Sequence, residues 1–248
     1  MKKKIFLSFL IACTAVSAMA IDLPKQGFGI QIGWAQPILR LNSRTNPATA
    51  KDSLSMVVKL NGFKVGLTYD ASFVAGFGSS IGLNYTFGVS NSGWKSNNIY
   101  GMDYPRSRQL ITFHEIEVFV DWQYKFEVAK ETYLMLYTGP TIQCGLQLDM
   151  RADHQRDYGA PIEYQHYDGY KSDNENETFK RLNVTWGVGA GFQYKRYFVR
   201  GGYDFGLLNP YAHAQFVDPV TGAQLDRYTR GRLDQWSIKL GVYLWYAD

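Results

Sequence analysis

Apolar and polar residues alternate along eight stretches of this chain. In the last of them, Trp236, Ile238, Leu240, Val242, Leu244 and Tyr246 take every second position. Gln235, Ser237, Lys239, Gly241, Tyr243 and Trp245 fill the positions between. A period of two puts the sets on opposite faces of a β-strand, one oily and one polar. The same alternation predicts strands near 28–34, 63–71, 81–87, 116–124, 134–146, 184–192 and 199–207. Most are long enough to cross a bilayer at a tilt.

The polar faces decide what the apolar faces look at. A soluble barrel or sandwich would turn its polar face to water and load it with Lys, Glu, Thr and Ser. Here that face carries Gly29, Gly33, Gly66, Gly82, Gly187, Gly189, Gly191 and Gly241, which suits the crowded inside of a narrow barrel. The apolar face is then expected to meet lipid. Trp34, Phe73, Phe126, Tyr194, Tyr197, Trp236 and Tyr246 lie near strand ends, where interfacial aromatic girdles belong.

The connections alternate as well. Short turns are expected near 72–78, 127–131 and 195–196, and long polar segments near 42–61, 90–111, 149–181 and 208–233. Short turns at one end and long loops at the other are the build of an outer-membrane barrel. Asn61-Gly62 is a hairpin signal with 54–60 as an extra strand before it. Single-chain bacterial barrels have an even strand number, so this piece is read as structure within the first long loop. The expected fold is all-β: an eight-stranded antiparallel up-and-down transmembrane barrel, in one domain over 21–248.

The N-terminus places the chain in the envelope. Lys2, Lys3 and Lys4 precede an apolar run, and Ala18-Met19-Ala20 follows; this predicts a cleaved secretory signal over 1–20. A lipidation box at Leu10-Ile11-Ala12-Cys13 is the alternative reading of the same stretch. Removing the signal takes three of the 26 basic residues and no acid, leaving 23 against 22 acidic. The basicity therefore belongs to the signal, and nucleic acid is not an expected partner. Cys144 alone then remains of the two cysteines, which excludes an intrachain disulfide.

The stretch GFKVGLTYDASFVAGFGSSIGLNYTFG at 62–88 resembles the PorT/OmpX-like family of small outer-membrane β-barrels of Gram-negative bacteria. Its members open a strand with G-F-x-x-G and end the next with Y-x-x-G. HEIEVFVDWQYKF at 114–126 with YTGPTIQCGL at 137–146 resembles the following hairpin, with Val118 and Thr138 departing from the family pattern. GVGAGFQYKRYFVRGGYDFGL at 187–207 resembles the third. Lys239, Gly241, Leu244 and Tyr246 are similar to the C-terminal signal read by the barrel-assembly machinery, although Ala247 and Asp248 follow where a terminal aromatic is usual. The resemblance implies outer-membrane localisation, with outer-membrane lipid, lipopolysaccharide and the assembly machinery as partners, but no single activity.

No catalytic or cofactor site is expected. His114, His154, His166 and His213 lack the H-x-S arrangement of lipid A deacylases, and His114 shows no hydroxyl partner in sequence. Asp173, Glu175 and Glu177 alternate in a polar loop but lack regular Ca²⁺ ligand spacing. Eight strands enclose only room for side chains, so a diffusion pore is not expected. Phe119, Tyr133, Tyr137, Phe198, Tyr243 and Trp245 should point inward and pack over the glycines. Nine charged residues should join them as a paired network: Lys64, Asp70, Glu115, Glu117, Asp121, Lys125, Arg200, Asp204 and Lys239. The expectation is a non-enzymatic monomer acting structurally or in adhesion through its loops. A secretion or envelope-assembly component, a small gated channel and a lipid-modifying enzyme are the rivals.

Overall fold

A computed structural model describes residues 26–44, 53–74, 76–96, 106–156, 159–170, 179–210, 216–217, 224–225 and 228–247. The expected signal over 1–20, His213 and the Asp173–Glu177 alternation lie outside the described residues. Eight strands close a ring: β1 (Gln26–Arg44), β3 (Gly62–Val74), β4 (Phe77–Asn91), β6 (Arg106–Ala129), β7 (Thr132–Gln155), β9 (Leu182–Tyr194), β10 (Tyr197–Gly206) and β13 (Tyr228–Ala247). Each pairs antiparallel with the next, and β13 returns to β1. Full closure leaves no free edge within the ring. The turns at Lys130-Glu131 and Lys195-Arg196 are tight, with Glu131 and Lys195 at φ of 57° and 53°.

The faces sort as the alternation requires. Ile32, Leu67, Leu83, Val188 and Leu240 stand on the outside, about half exposed. Phe119, Tyr133, Tyr137, Phe198 and Tyr243 are buried inside. A side chain added at Gly82 would collide with the Phe119 ring, one at Gly241 with Phe198, and one at Gly189 with Tyr137. The inward glycines thus make room for the rings.

Trp245 departs from this. It was expected inside but is 51% exposed. The cause is a register shift: Tyr243 pairs with Gly29 and Trp245 with Phe28, so Leu244 is an extra residue. One extra residue reverses the faces beyond it, and Trp245 joins Phe28 outside.

The long connections are also corrected. Much of what reads as loop is strand. β6 and β7 each run 24 residues, about twice the 9–11 that a crossing needs. Four further pieces lie at the loop end: β2 (Ser53–Lys59) on β1, β5 (Lys95–Ser96) on β6, β8 (Glu163–Asp168) on β7, and a two-stranded pair of β11 (Phe216–Val217) and β12 (Gln224–Leu225).

Asn61-Gly62 is not a hairpin. β2 and β3 both pair with β1, and the register continues unbroken from Ala35 opposite Gly62 to Ile38 opposite Lys59. The two pieces are one course along β1, interrupted opposite Pro37. Proline has no N–H to give the ladder. Its carbonyl still accepts from the Leu60 N–H at 2.9 Å, and the Gln36 amide donates to Asn61 at 3.1 Å. Long-range pairing overrides the local turn signal.

Candidate functional site

The lumen is filled by two polar clusters. Near the turn end, Arg200 donates to Asp70 and Ser80, both at 2.8 Å, and to Gln123 at 3.1 Å. Lys125 reaches Asp70 at 3.2 Å and Gln193 at 3.1 Å. Ser80 donates to Asp70 at 2.6 Å, and the Tyr243 hydroxyl donates to the same carboxylate. Nearer the loop end, Lys64 donates to both oxygens of Glu117, at 2.6 and 2.8 Å. Gln235 and Asn84 also donate to Glu117, at 2.7 and 3.3 Å, and Gln31 to Asn84 at 2.6 Å. These side chains come from β1, β3, β4, β6, β9, β10 and β13, so the clusters tie opposite walls together.

The expected all-paired network needs correction. Lys64, Asp70, Glu117, Lys125 and Arg200 form ion pairs. Glu115, Asp121, Asp204 and Lys239 have no ion pair among the described residues, although Glu115, Asp121 and Lys239 are buried and Asp204 is half-buried. Lys239 places its ammonium 4.8 Å from the centre of the Phe119 ring, a cation–π contact in place of a carboxylate. Amides also take part. Gln31, Asn84, Gln123, Gln193 and Gln235 are almost fully buried, and all occupy inward positions of the alternation. A search for charges alone passes them over.

Above the clusters, at the loop end, lies a cavity of about 330 Å³. Its walls come from the inward faces of the extended strands: Leu39 and Leu60 on one side, Phe113, Leu148 and Met150 on the other. Tyr170 and Phe179 line it as well. The Gly169 N–H donates to the Leu148 carbonyl at 2.7 Å, and the Lys180 N–H to Pro210 at 2.7 Å. A side chain at Gly145 would strike the Tyr170 ring, so glycine there lets the ring descend. Gly145 sits opposite Glu115, and β7 slips register just beyond, with Gln147 opposite His114. That slip turns Leu148, Met150 and Ala152 inward. It is why the cavity escapes a strict period-two reading.

Outside the ring the loop end carries arginine–carboxylate clusters. Arg40 and Arg232 donate to Asp234, at 3.0 and 2.7 Å, and Tyr203 and the Gly206 N–H donate to it at 2.8 and 3.0 Å. Burial disfavours the charge on Asp234, but these donors outweigh it and hold the carboxyl below its ordinary range. Hydrogen bonds from Arg151 and Arg108 likewise hold Asp153 low. His114 faces outward, hydrogen-bonded through Nδ1 to the Tyr85 hydroxyl, a partner the sequence did not disclose. His154 pairs in the ladder with Glu163, and His166 lies 3.8 Å from Asp149. Of the expected assembly signal, Lys239 and Gly241 face the lumen and Leu244 lies outside, 55% exposed. Nothing is described of the Tyr246 side chain.

A closed, glycine-lined, eight-stranded ring with an apolar belt outside agrees with what known families show. The model of the outer membrane protein beta-barrel domain family matches residues 28–210. The chain belongs to that family. Its place is the outer membrane. No curated protein sequence matches the chain. Among solved structures it is similar to Ail, the attachment invasion locus protein of Yersinia pestis, at 12% identity over 89% of this chain and 99% of Ail, with a TM-score of 0.37. It is also similar to Neisserial surface protein A, at 10% identity over 88% and 97%, with a TM-score of 0.35.

Proposed function

We propose that this outer-membrane barrel is a closed scaffold that presents its loop-end strand extensions to a partner outside the cell. The observation that carries the reading is the length of β6 and β7. Their apolar belts span about 116–128 and 134–146, and the remainder continues as paired strand. Pairing orders the backbone before any partner arrives, which lowers the entropy cost of binding. The lumen clusters favour a plug over a pore, and no catalytic role is assigned. The barrel works as a monomer in outer-membrane lipid and lipopolysaccharide, after insertion by the assembly machinery.

Photo-crosslinking on intact cells tests the scaffold. A crosslinker at Tyr164, 68% exposed on β8, should trap a discrete partner, and one at Lys130 in a short turn should not. Trapping from Lys130 alone would overturn the reading. The PorT resemblance supports a second reading, a component of a secretion machine. A stoichiometric envelope complex retained in mild detergent, unchanged when the β7–β8 tip is removed, would favour it.

A further inference from the structure

The lining of the loop-end cavity restricts what it could hold. The cavity is partly open at its mouth, and Leu39, Leu60, Phe113, Leu148 and Met150 dominate its walls, so an apolar occupant gains by removing their surface from water.

Size narrows the class. A cavity of about 150 Å³ lined by aliphatic and aromatic side chains takes up benzene. This one holds 330 Å³, room for roughly a dozen non-hydrogen atoms on the same scale. One polar group adds direction. Glu115 lines the cavity, is 7% exposed, and its Oε1 has no hydrogen-bond partner among the described residues. Leaving such an oxygen unpaired is costly, and a ligand that supplies a donor recovers that cost. Arg151, which lines the cavity from β7, is engaged by Asp153 at 2.6 Å. Lys180 also lines the cavity, with its side chain exposed.

We infer that the loop end of the barrel binds a small, uncharged, mostly apolar molecule of about a dozen non-hydrogen atoms, with one hydroxyl-type donor directed at Glu115. The site is separate from the presentation of strand extensions and stands without it.

The test uses the full chain in lipid nanodiscs, with methionine methyl groups labelled for NMR. Met150 lines the cavity, and Met135, packed with Phe198 and Tyr243 in the lumen, is the internal control. 2-Naphthylmethanol should shift Met150 saturably and leave Met135 in place. 2-Methylnaphthalene, which lacks the donor, should bind on the order of tenfold more weakly, and Glu115→Leu should abolish that difference. 2-Naphthoate should bind worst. Ala152→Trp or Leu39→Trp, each filling the space, should remove the Met150 shift while heat-modifiable gel mobility stays that of a folded barrel. Absence of a saturable Met150 shift would overturn the proposal, as would its survival in both filled variants. Tightest binding of 2-naphthoate would assign the polar end to Lys180 and overturn the donor specificity.

Discussion

Arg200 and Asp70, 130 residues apart in sequence, meet inside the barrel at 2.8 Å. One stands on β10 and the other on β3, so the contact braces walls that share no ladder. Arg200 is fully buried and Asp70 nearly so. A buried charge is tolerable only with its partners in place.

Truncation of this brace should therefore be severe. Arg200→Ala leaves Asp70 with Lys125, Ser80 and Tyr243 but removes the donor that links it to Gln123. The expected cost is about 3–5 kcal/mol, typical for breaking one side of a buried pair. Arg200→Lys should lose less, because the charge remains while the two-pronged reach to Asp70 and Ser80 does not. Urea unfolding in lipid vesicles measures both. A loss for Arg200→Ala below about 1 kcal/mol, the range of an exposed pair, would show that the brace does not hold the walls.

The plug carries a second expectation. With Arg200, Lys64, Phe119 and Tyr243 across the lumen, purified protein in planar bilayers should show no steady conductance. Substituting Glu117→Ala should leave Lys64 buried without its carboxylate and weaken the fold before it opens a path. A stable, cation-selective current through the wild-type chain would make the barrel a channel and displace the scaffold reading.

The lipid face is tested at Val188, on β9 and 46% exposed. Val188→Arg places a charge near mid-belt, at a cost of roughly 2–4 kcal/mol. Thr185→Arg lies on the opposite face and is fully buried, so crowding is its penalty. Assembly of Val188→Arg should fail further, read by heat-modifiable mobility in isolated outer membranes. A worse defect for Thr185→Arg would mean that lumen crowding outweighs lipid exposure.

Strand identity was legible because alternation is a local property. Eight oily faces and their glycine-bearing partners can be counted along the chain without knowing what pairs with what. Inward ring packing was legible too, since large and small residues share the face. What escaped depends on register. Leu244 adds one residue and sends Trp245 outside; β7 slips after Gly145 and turns Met150 inward; the course along β1 runs on past Asn61-Gly62 from β2 to β3 where a turn is expected. Each is set by a neighbour distant in sequence. Four of the nine charges have no ion partner among the described residues for the same reason: facing across a lumen is a three-dimensional relation, and alternation reports only the face.

The last expectation concerns acid. Asp234 lies beyond the Trp34–Trp236 pair of the girdle, whose rings are 4.3 Å apart, and its carboxyl is held below the ordinary value of 3.8. A carboxylate depressed by folding contributes stability above its unfolded pKa, and that contribution fades as pH falls through the folded one. The window therefore opens near pH 4 and extends downward. Arg40 and Arg232 are half exposed, so solvent screening limits the effect to the modest scale of surface pairs. It should be local: the Gly206 N–H, which donates to Asp234, should lose hydrogen-exchange protection below pH 4 after correction for intrinsic exchange rates. Amides of the buried belt should keep theirs. Asp234→Asn should show the lowered Gly206 protection at every pH and no further drop in acid. Unchanged Gly206 protection in the wild type down to pH 3 would mean that the arginine clamp does not hold this end of the barrel.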